Sequence, residues 1–332
     1  MTKKILITGA SGFVGFHLVS AAFEAGYEVH AAVRPSSPIA DIEPFVKKFV
    51  YPDFNQISSL AALFVAEKYD YIIHAAAMTK AKSEAEMMNT NVGVTERLLE
   101  AAFRAPEPPK RFVFVSSLAA IGPLRYLDGP ITESTPYNPV TMYGRSKREA
   151  EKMVFAKFAD KPISIIRPTA VYGPREKDIF ILFNTMNKGL DAYVGRAPQK
   201  LSFVYVKDLV DVLLRAAYLS PQMGLDIFNI SDGRVYSRYE MAEIFKKTFH
   251  RKLIRIHVPY AIVKTVAQIS QWLYRKSPRT PVIYPERLGE LTAENWSCDI
   301  THAEQRLEYH PQYDLNSGLV DSLLWYKKNN WF

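Results

Sequence analysis

The chain predicts an α/β fold: a doubly wound parallel sheet joined to a smaller, discontinuous C-terminal domain. Three observations carry this. Short apolar runs alternate with segments of helical spacing through the first half of the chain. The strand-like runs are apolar throughout, as strands covered on both faces are. A glycine-rich stretch, TGASGFVG (8–15), joins the first such run to the first helical segment.

The elements follow in order. KKILITG (3–9) is a short apolar run stopped by glycine and reads as a strand. FVGFHLVSAAFEAGY (13–27) has helical apolar spacing, and YEVHAAV (27–33) returns to strand. ISSLAALFVAEK (57–68) reads as helix, YDYIIHAAA (69–77) as strand, and NTNVGVTERLLEAAFR (89–104) as helix. The strand RFVFVSS (111–117), a helix over about 140–158 and the strand ISIIRP (163–168) complete the alternation. After Pro168 prolines and glycines become frequent. SFVYV (202–206) and DIFNI (226–230) read as further strands of the same sheet, with the helix KDLVDVLLRAAYL (207–219) between them. The expected division is 1–171 plus 202–232 for the sheet domain, and 172–201 plus 233–332 for the second.

With 332 residues, 48% hydrophobic and 23% charged, the chain has ample material for a core. The lone Cys298 excludes an internal disulfide and a thiolate metal cluster. A reducing, cytoplasmic setting is expected, and no metal site. MTKKILITGA runs straight into a strand pattern without a signal-peptide h-region, and no apolar run approaches the ~18 residues of a membrane span. The net charge of +8 is concentrated between Lys246 and Arg287. That distribution reads as a solvated basic surface or as contact with an anionic ligand or membrane surface; no nucleic-acid partner is expected.

Gly9, Gly12 and Gly15 are spaced G-x-x-G-x-x-G between strand and helix. Glycine permits a sharp turn, close approach of backbone to a pyrophosphate and tight helix–strand packing, and the helix N-terminus offers free N–H groups. The strand before this stretch and the helix after it mark a dinucleotide-binding turn, with a three-residue glycine spacing that differs from the G-x-G-x-x-G form. Two tyrosine–lysine pairs are four residues apart: Tyr143 and Lys147 in YGRSK, and Tyr260 and Lys264 in YAIVK. The first follows the strand-end serines Ser116 and Ser117, where ligands of open α/β sheets bind. Its two side chains share a helix face. The second lies in PYAIVKTVAQISQWLYRK (259–276), an amphipathic helix opened by Pro259 with no strand-end serine nearby, and reads as coincidence.

The chain resembles the extended branch of the short-chain dehydrogenase/reductase superfamily, the NAD-dependent epimerase/dehydratase family. Beyond TGASGFVG the resemblance rests on IIHAAA (72–77), NTNVG (89–93), VSSLAAIG (115–122), YGRSK (143–147), RPTAVYGPR (167–175), SFVYVKDLV (202–210) and FNISDG (228–233). It implies a catalytic Ser117, Tyr143 and Lys147, Ser117 being the serine five residues before the glycine of its block. A tyrosine near pKa ~10 is a poor base, and a neighbouring ammonium is expected to bring it toward neutral pH. Lys147 would also hold the nicotinamide ribose, and Ser117 the reacting oxygen. The resemblance further implies cofactor contacts from Gly9, Ser11, Gly12, Phe13, Val14 and Gly15, from Asp53 and Phe54 after the third strand, and from Ser116, Tyr143 and Lys147. Ala75, Ala76 and Ala77 would leave room for the cofactor, and Asn91 would start a helix near the ribose. Pro168, Thr169, Ala170 and Val171 would close the nicotinamide end. His74, in a buried strand, reads as a packed histidine.

Where an acid at the end of the second strand would select NAD, AAVRPSS (31–37) places Arg34, with Ser36 and Ser37 beside it. A guanidinium and hydroxyls suit a 2′-phosphate, so NADP(H) is favoured over NAD(H). Related nucleotide-sugar enzymes carry an Arg-Asp pair just before FVYV; here those positions are Leu201 and Ser202. The pattern is most similar to the 3-beta-hydroxysteroid dehydrogenase and dihydroflavonol reductase branch, which implies a steroid- or lipid-like ketone or secondary alcohol. A nucleotide-sugar epimerase or dehydratase with tightly held NAD is the alternative, with Arg175, Arg196 or Lys200 in place of the missing cation. A dinucleotide sensor without chemistry would not need Ser117, Tyr143 and Lys147. For the helix at 259–276, core packing is one reading and contact with an anionic bilayer at the inner membrane surface the other. WSCDI (296–300) reads as strand, followed by two helices. The resemblance implies a homodimer through the helix bearing Tyr143.

Overall fold

The computed structural model describes residues 2–218, 224–274, 277 and 283–332. Its strands are β1 (Lys4–Thr8), β2 (Glu28–Ala32), β3 (Lys48–Val50), β4 (Tyr71–His74), β5 (Arg111–Val115), β6 (Ile163–Pro168), β7 (Ala170–Tyr172), β8 (Leu190–Val194), β9 (Phe203–Tyr205), β10 (Leu225–Ile230) and β11 (Ile254–Val258). The helices are α1 (Phe13–Glu24), α2 (Ile57–Glu67), α3 (Glu84–Met88), α4 (Val94–Arg104), α5 (Met142–Phe158), α6 (Phe180–Asn187), α7 (Val206–Tyr218), α8 (Glu240–Phe249), α9 (Tyr260–Leu273), α10 (Pro285–Thr292), α11 (Thr301–Leu307) and α12 (Leu315–Lys328).

Seven strands form one parallel sheet in the order β10-β6-β5-β4-β1-β2-β3. Parallel pairing demands crossover helices, and these cover both faces, which is why the strands can be apolar on both sides. One core layer joins Ile5, Ile7, Leu18 and Val19 to Leu209, Leu213 and Phe228. The opposite layer joins Leu6, Ile72, Phe112 and Phe114 to Leu98, Ala150 and Val154. The chain reverses its direction of progress across the sheet between β1 and β4, and the carboxyl ends there open a crevice.

A third core, built by Tyr172, Phe183, Phe245, Leu319, Leu323 and Tyr326, supports the C-terminal lobe. β9 links it to the sheet. Phe203 and Tyr205 point into this third core while Val204 packs against the sheet, the two-residue alternation of a strand.

Two expectations about strands are corrected. SFVYV does not extend the main sheet: β9 pairs in parallel with β7 as a separate two-stranded ribbon. Its apolar alternation serves two cores, and periodicity does not say which partner strand it takes. WSCDI forms no strand; Asn295 and Cys298 make isolated bridges to Leu124, Lys200 and Ile131. For the helix at 259–276, core packing covers only part of the described helix. Over α9 only Val263 and Ala267 are buried. Residues 275, 276 and 278–282 lie outside the described residues.

Candidate active site

The glycine turn is built for close approach. Gly9 has φ +72°, and a Cβ there would stand 2.7 Å from the Ala76 nitrogen and 2.8 Å from the Ala75 carbonyl carbon. A Cβ on Gly15 would lie 2.0 Å from the Gly9 carbonyl oxygen. Gly12 is the N-cap of α1 and has no side chain to satisfy the first-turn N–H groups, which leaves them for an anion. Ser11, Phe13 and Val14 lie in this turn and the first turn of α1. Thr8 Oγ1 accepts from Ala76 N at 3.2 Å and contacts His74 Nδ1 at 2.7 Å, which fixes Ala75–Ala77 beside the turn. His74 Nε2 contacts Thr95 Oγ1 at 3.0 Å, and burial pushes the imidazole down to about 3. It is the neutral, packed histidine expected.

Ser117 follows β5, and its Oγ accepts from Ala119 N at 3.2 Å. Thr141 caps α5 by accepting from Gly144 N at 3.0 Å, so the helix begins one residue before Tyr143. Gly144 lets this first turn press onto the serine loop: a Cβ there would be 2.3 Å from the Ala119 carbonyl oxygen. This brings the Ser117 hydroxyl near enough to the Tyr143 phenol to favour its ionised form. One turn on, Lys147 Nζ donates to the Val115 carbonyl at 2.8 Å and lies 5.9 Å from the centre of the Tyr143 ring.

The electrostatics differ from the expectation of a lowered tyrosine pKa. Burial pushes Tyr143 up to about 12, opposed by the Ser117 hydroxyl, while Glu290 adds to the rise. Burial also pushes Lys147 down to about 7, opposed by Glu151. Desolvation acts against both charged forms, and here it outweighs the opposing influence of Ser117 on the phenol and of Glu151 on the amine. Tyr143 is therefore a protonated phenol at neutral pH, beside a lysine that titrates there.

Two residues expected at the cofactor are occupied elsewhere. Ser116 Oγ donates to the buried Glu151 carboxylate. That carboxylate also takes the Tyr137 hydroxyl at 2.7 Å and the buried Arg167 guanidinium, whose Nη2 lies 2.6 Å from Oε2. Asn91 accepts from Met78 N at 2.7 Å and donates to the Met78 carbonyl and Ser146 Oγ, each at 2.9 Å. Ser146 in turn donates to the Tyr143 carbonyl at 2.8 Å. Both side chains brace α5.

The remaining predicted positions lie at or just past the carboxyl ends of β6, β2 and β3. Pro168 ends β6, and Thr169, Ala170 and Val171 follow; the buried Thr169 Oγ1 has no hydrogen-bond partner among the described residues. An orphaned buried hydroxyl, a cradle that any Cβ would fill and an uncapped helix start fit a bound dinucleotide. Arg34 stands exposed just past β2, and its backbone N–H is held by Ser37 Oγ at 3.2 Å. Ser36 is exposed beside it. Asp53 and Phe54 follow β3, the edge strand next to β2; Asp53 accepts from Asn55 N at 2.9 Å, and the Phe54 carbonyl from Arg97 Nε at 2.8 Å.

On the substrate side, Leu201 exchanges backbone hydrogen bonds with Tyr236, and Ser202 Oγ donates to the Arg234 carbonyl at 2.8 Å. Arg175 pairs with Asp41 and covers the Phe16 ring at 4.1 Å. Lys200 covers the Tyr126 ring at 5.0 Å, and Arg196 is exposed. The sequence reading missed α10. Glu286 there accepts from Met142 N at 2.8 Å and from Arg145 at 3.0 Å, clamping α10 over the start of α5. Glu290, one turn later on the same face, is held up in pKa by burial, and its charge reaches Tyr143. Pro285 followed by two glutamates four apart signals a helix start with an acidic face, but not the α5 partner 141 residues and more upstream.

The sequence profile of the NAD dependent epimerase/dehydratase family matches residues 5–231. The chain is 29% identical to the UDP-glucose 4-epimerase of Vibrio cholerae, covering 96% of this chain and 94% of that protein. It is 27% identical to the 3-beta-hydroxysteroid dehydrogenase of Mycolicibacterium neoaurum, covering 97% and 91%. Among solved structures, the UDP-glucose 4-epimerase of Thermotoga maritima with UDP-glucose matches with TM-score 0.79 and 23% identity, covering 98% of this chain and 99% of that one.

Proposed function

Because the chain belongs to the NAD dependent epimerase/dehydratase family, we propose that it is an NADP(H)-preferring oxidoreductase acting on a hydrophobic ketone or secondary alcohol. The observation that carries the substrate class is the pair Leu201 and Ser202. Both are tied into backbone pairing, and neither offers a cation to a diphosphate. Arg175 and Lys200, which could replace that cation, are engaged by Asp41 and Tyr126.

Bound nicotinamide supplies or accepts the hydride. The chain's own residues handle the proton. Ser117 orients the reacting oxygen through its hydroxyl, and Tyr143, protonated at neutral pH, gives that oxygen its proton in the reductive direction. Lys147, held by the Val115 carbonyl below Tyr143, places a titrating ammonium close to the developing negative charge. Arg34 and Ser36, exposed past β2, would receive a ribose 2′-phosphate.

A second reading, nucleotide-sugar epimerisation, draws on the exposed Arg196, which has no ion pair among the described residues, and on the likeness to the Vibrio cholerae enzyme. One experiment separates the two. Purified protein and its Arg34→Asp variant are assayed with NADPH and NADH against ketosteroids and long-chain 3-keto lipids, with nucleotide sugars followed by product separation. The proposal expects NADPH oxidation with a lipid-like ketone and a shift of preference toward NADH in the variant. Conversion of a nucleotide sugar without net cofactor consumption would overturn the substrate class. An unmoved NADPH/NADH ratio would overturn the role of Arg34.

A further inference from the structure

Helix α9 exposes its apolar side. It is 14 residues long, about 21 Å at 1.5 Å per residue. Ile262, Val266, Ile269 and Leu273 recur at intervals of four, three and four, so they fall on one line along the helix. Their exposures are 55%, 50%, 52% and 62%, and Trp272 at the flank of that line is 69% exposed. Val263 and Ala267, about a quarter-turn away, are the buried seam, and α9 packs there against α10. Lys264, Gln268 and Gln271 lie on the side opposite the apolar line. The helix thus has a protein seam, a polar back and an uncovered row of large aliphatic side chains.

Scattered exposed hydrophobics are ordinary on soluble proteins; a continuous row on one helix is not. We propose that α9 docks the enzyme on an anionic lipid surface, with its apolar row in the headgroup–acyl boundary. Charge selects that occupant over a second copy of the chain. From Lys246 to Pro285 the sequence holds nine lysines and arginines and no aspartate or glutamate. Lys247 and Lys252 make no ion pair among the described residues. A cationic segment repels its own copy and is drawn to anionic headgroups. Trp272 and Tyr274, at the end of the helix, are the side chains that favour a membrane–water interface. No described helix is long and apolar enough to cross a membrane, so the contact lies in the plane of the surface.

The placement connects to the chemistry. α9 packs on α10, and α10 is clamped to the first turn of α5 by Glu286. The lipid-facing helix is therefore separated from Tyr143 by a single helix layer, a short route for a substrate partitioned in a bilayer. This deepens the hydrophobic-substrate reading but does not depend on it.

The test is co-sedimentation of the full chain with vesicles of phosphatidylcholine alone and of phosphatidylcholine mixed with phosphatidylglycerol. The wild type is expected to sediment with the mixed vesicles and less with the neutral ones, and added salt should release part of it. The double variant Ile269→Glu/Trp272→Glu is expected to bind the mixed vesicles at least about tenfold more weakly, with thermal midpoint and NADPH affinity unchanged because neither side chain is buried. No sedimentation with either vesicle, or equal sedimentation of the double variant, would overturn the proposal. So would a wild-type dimer, seen by light scattering, that the double variant loses, since the row would then be covered by a second copy. Binding is read without turnover: an enzyme that reduces lipid-like ketones but ignores vesicles defeats this inference alone.

Discussion

Helices α5 and α9 each carry a tyrosine four residues before a lysine, and the fold puts the two pairs to opposite use. In α5, Lys147 is 1% exposed and spends its ammonium on the Val115 carbonyl, and Tyr143 meets Ser117 at the end of β5. In α9, Tyr260 is 46% exposed, Lys264 is exposed, and the helix starts after a proline rather than beside a sheet end. On the proposed mechanism, the same spacing makes a proton-handling device only where burial shifts both groups and a third side chain aims them. What separates the regions is the support beneath them. α5 stands on a buried network of Glu151, Arg167, Tyr137 and Ser116, and is braced from the side by Asn91 and Ser146. α9 rests on two small buried side chains.

The comparison is broken most forcefully at Glu151. Its removal leaves the Arg167 guanidinium buried without its carboxylate, and Glu151→Ala is expected to cost about 3–5 kcal/mol in urea unfolding. Lys264→Ala, on the exposed helix, is expected to stay within about 0.5 kcal/mol. Equal, small losses at both positions would mean that the network under α5 contributes little.

A smaller effect sharpens the contrast through pH. Burial places Lys147 at about 7 and Tyr143 at about 12. On the proposed mechanism, the ammonium present below pH 7 stabilises negative charge on the reacting oxygen; above pH 7 the amine is neutral. The kcat/KM for ketone reduction is therefore expected to fall as pH rises through about 7, with no loss of the tyrosine proton until far higher pH. An inflection instead near the ordinary lysine value of about 10.4 would show that burial does not control Lys147. The exposed Lys264 has no part in this profile, so Lys264→Ala should leave it in place.

Much of this arrangement was legible in the sequence, for identifiable reasons. The parallel sheet declared itself because strands covered on both faces must be apolar throughout, as in ILIT (5–8) and FVFV (112–115). Gly9 and Gly15 stood out because a Cβ there cannot coexist with Ala76 and the Gly9 carbonyl. Other features depend on partners distant in the chain. Ser116 and Asn91 sit beside the expected site, but Glu151 and Met78 claim their side chains. The strand β9 alternates as a strand should, yet its pairing with β7 is set by the C-terminal core. Glu286 and Glu290 reach α5 only because α10 folds back over it. The upward shift of Tyr143 follows from how deeply it is buried, which a Y-x-x-x-K spacing does not encode.

The most direct measurement sets Tyr143→Phe beside Tyr260→Phe, with steady-state turnover of the best ketone and NADPH affinity read on both. The account expects Tyr143→Phe to bind NADPH nearly as the wild type does and to lose about 10²–10⁴-fold in kcat, with Tyr260→Phe unchanged in both. Full turnover by Tyr143→Phe would contradict the assignment of the proton to that phenol, and with it the reading of α5 as the catalytic helix.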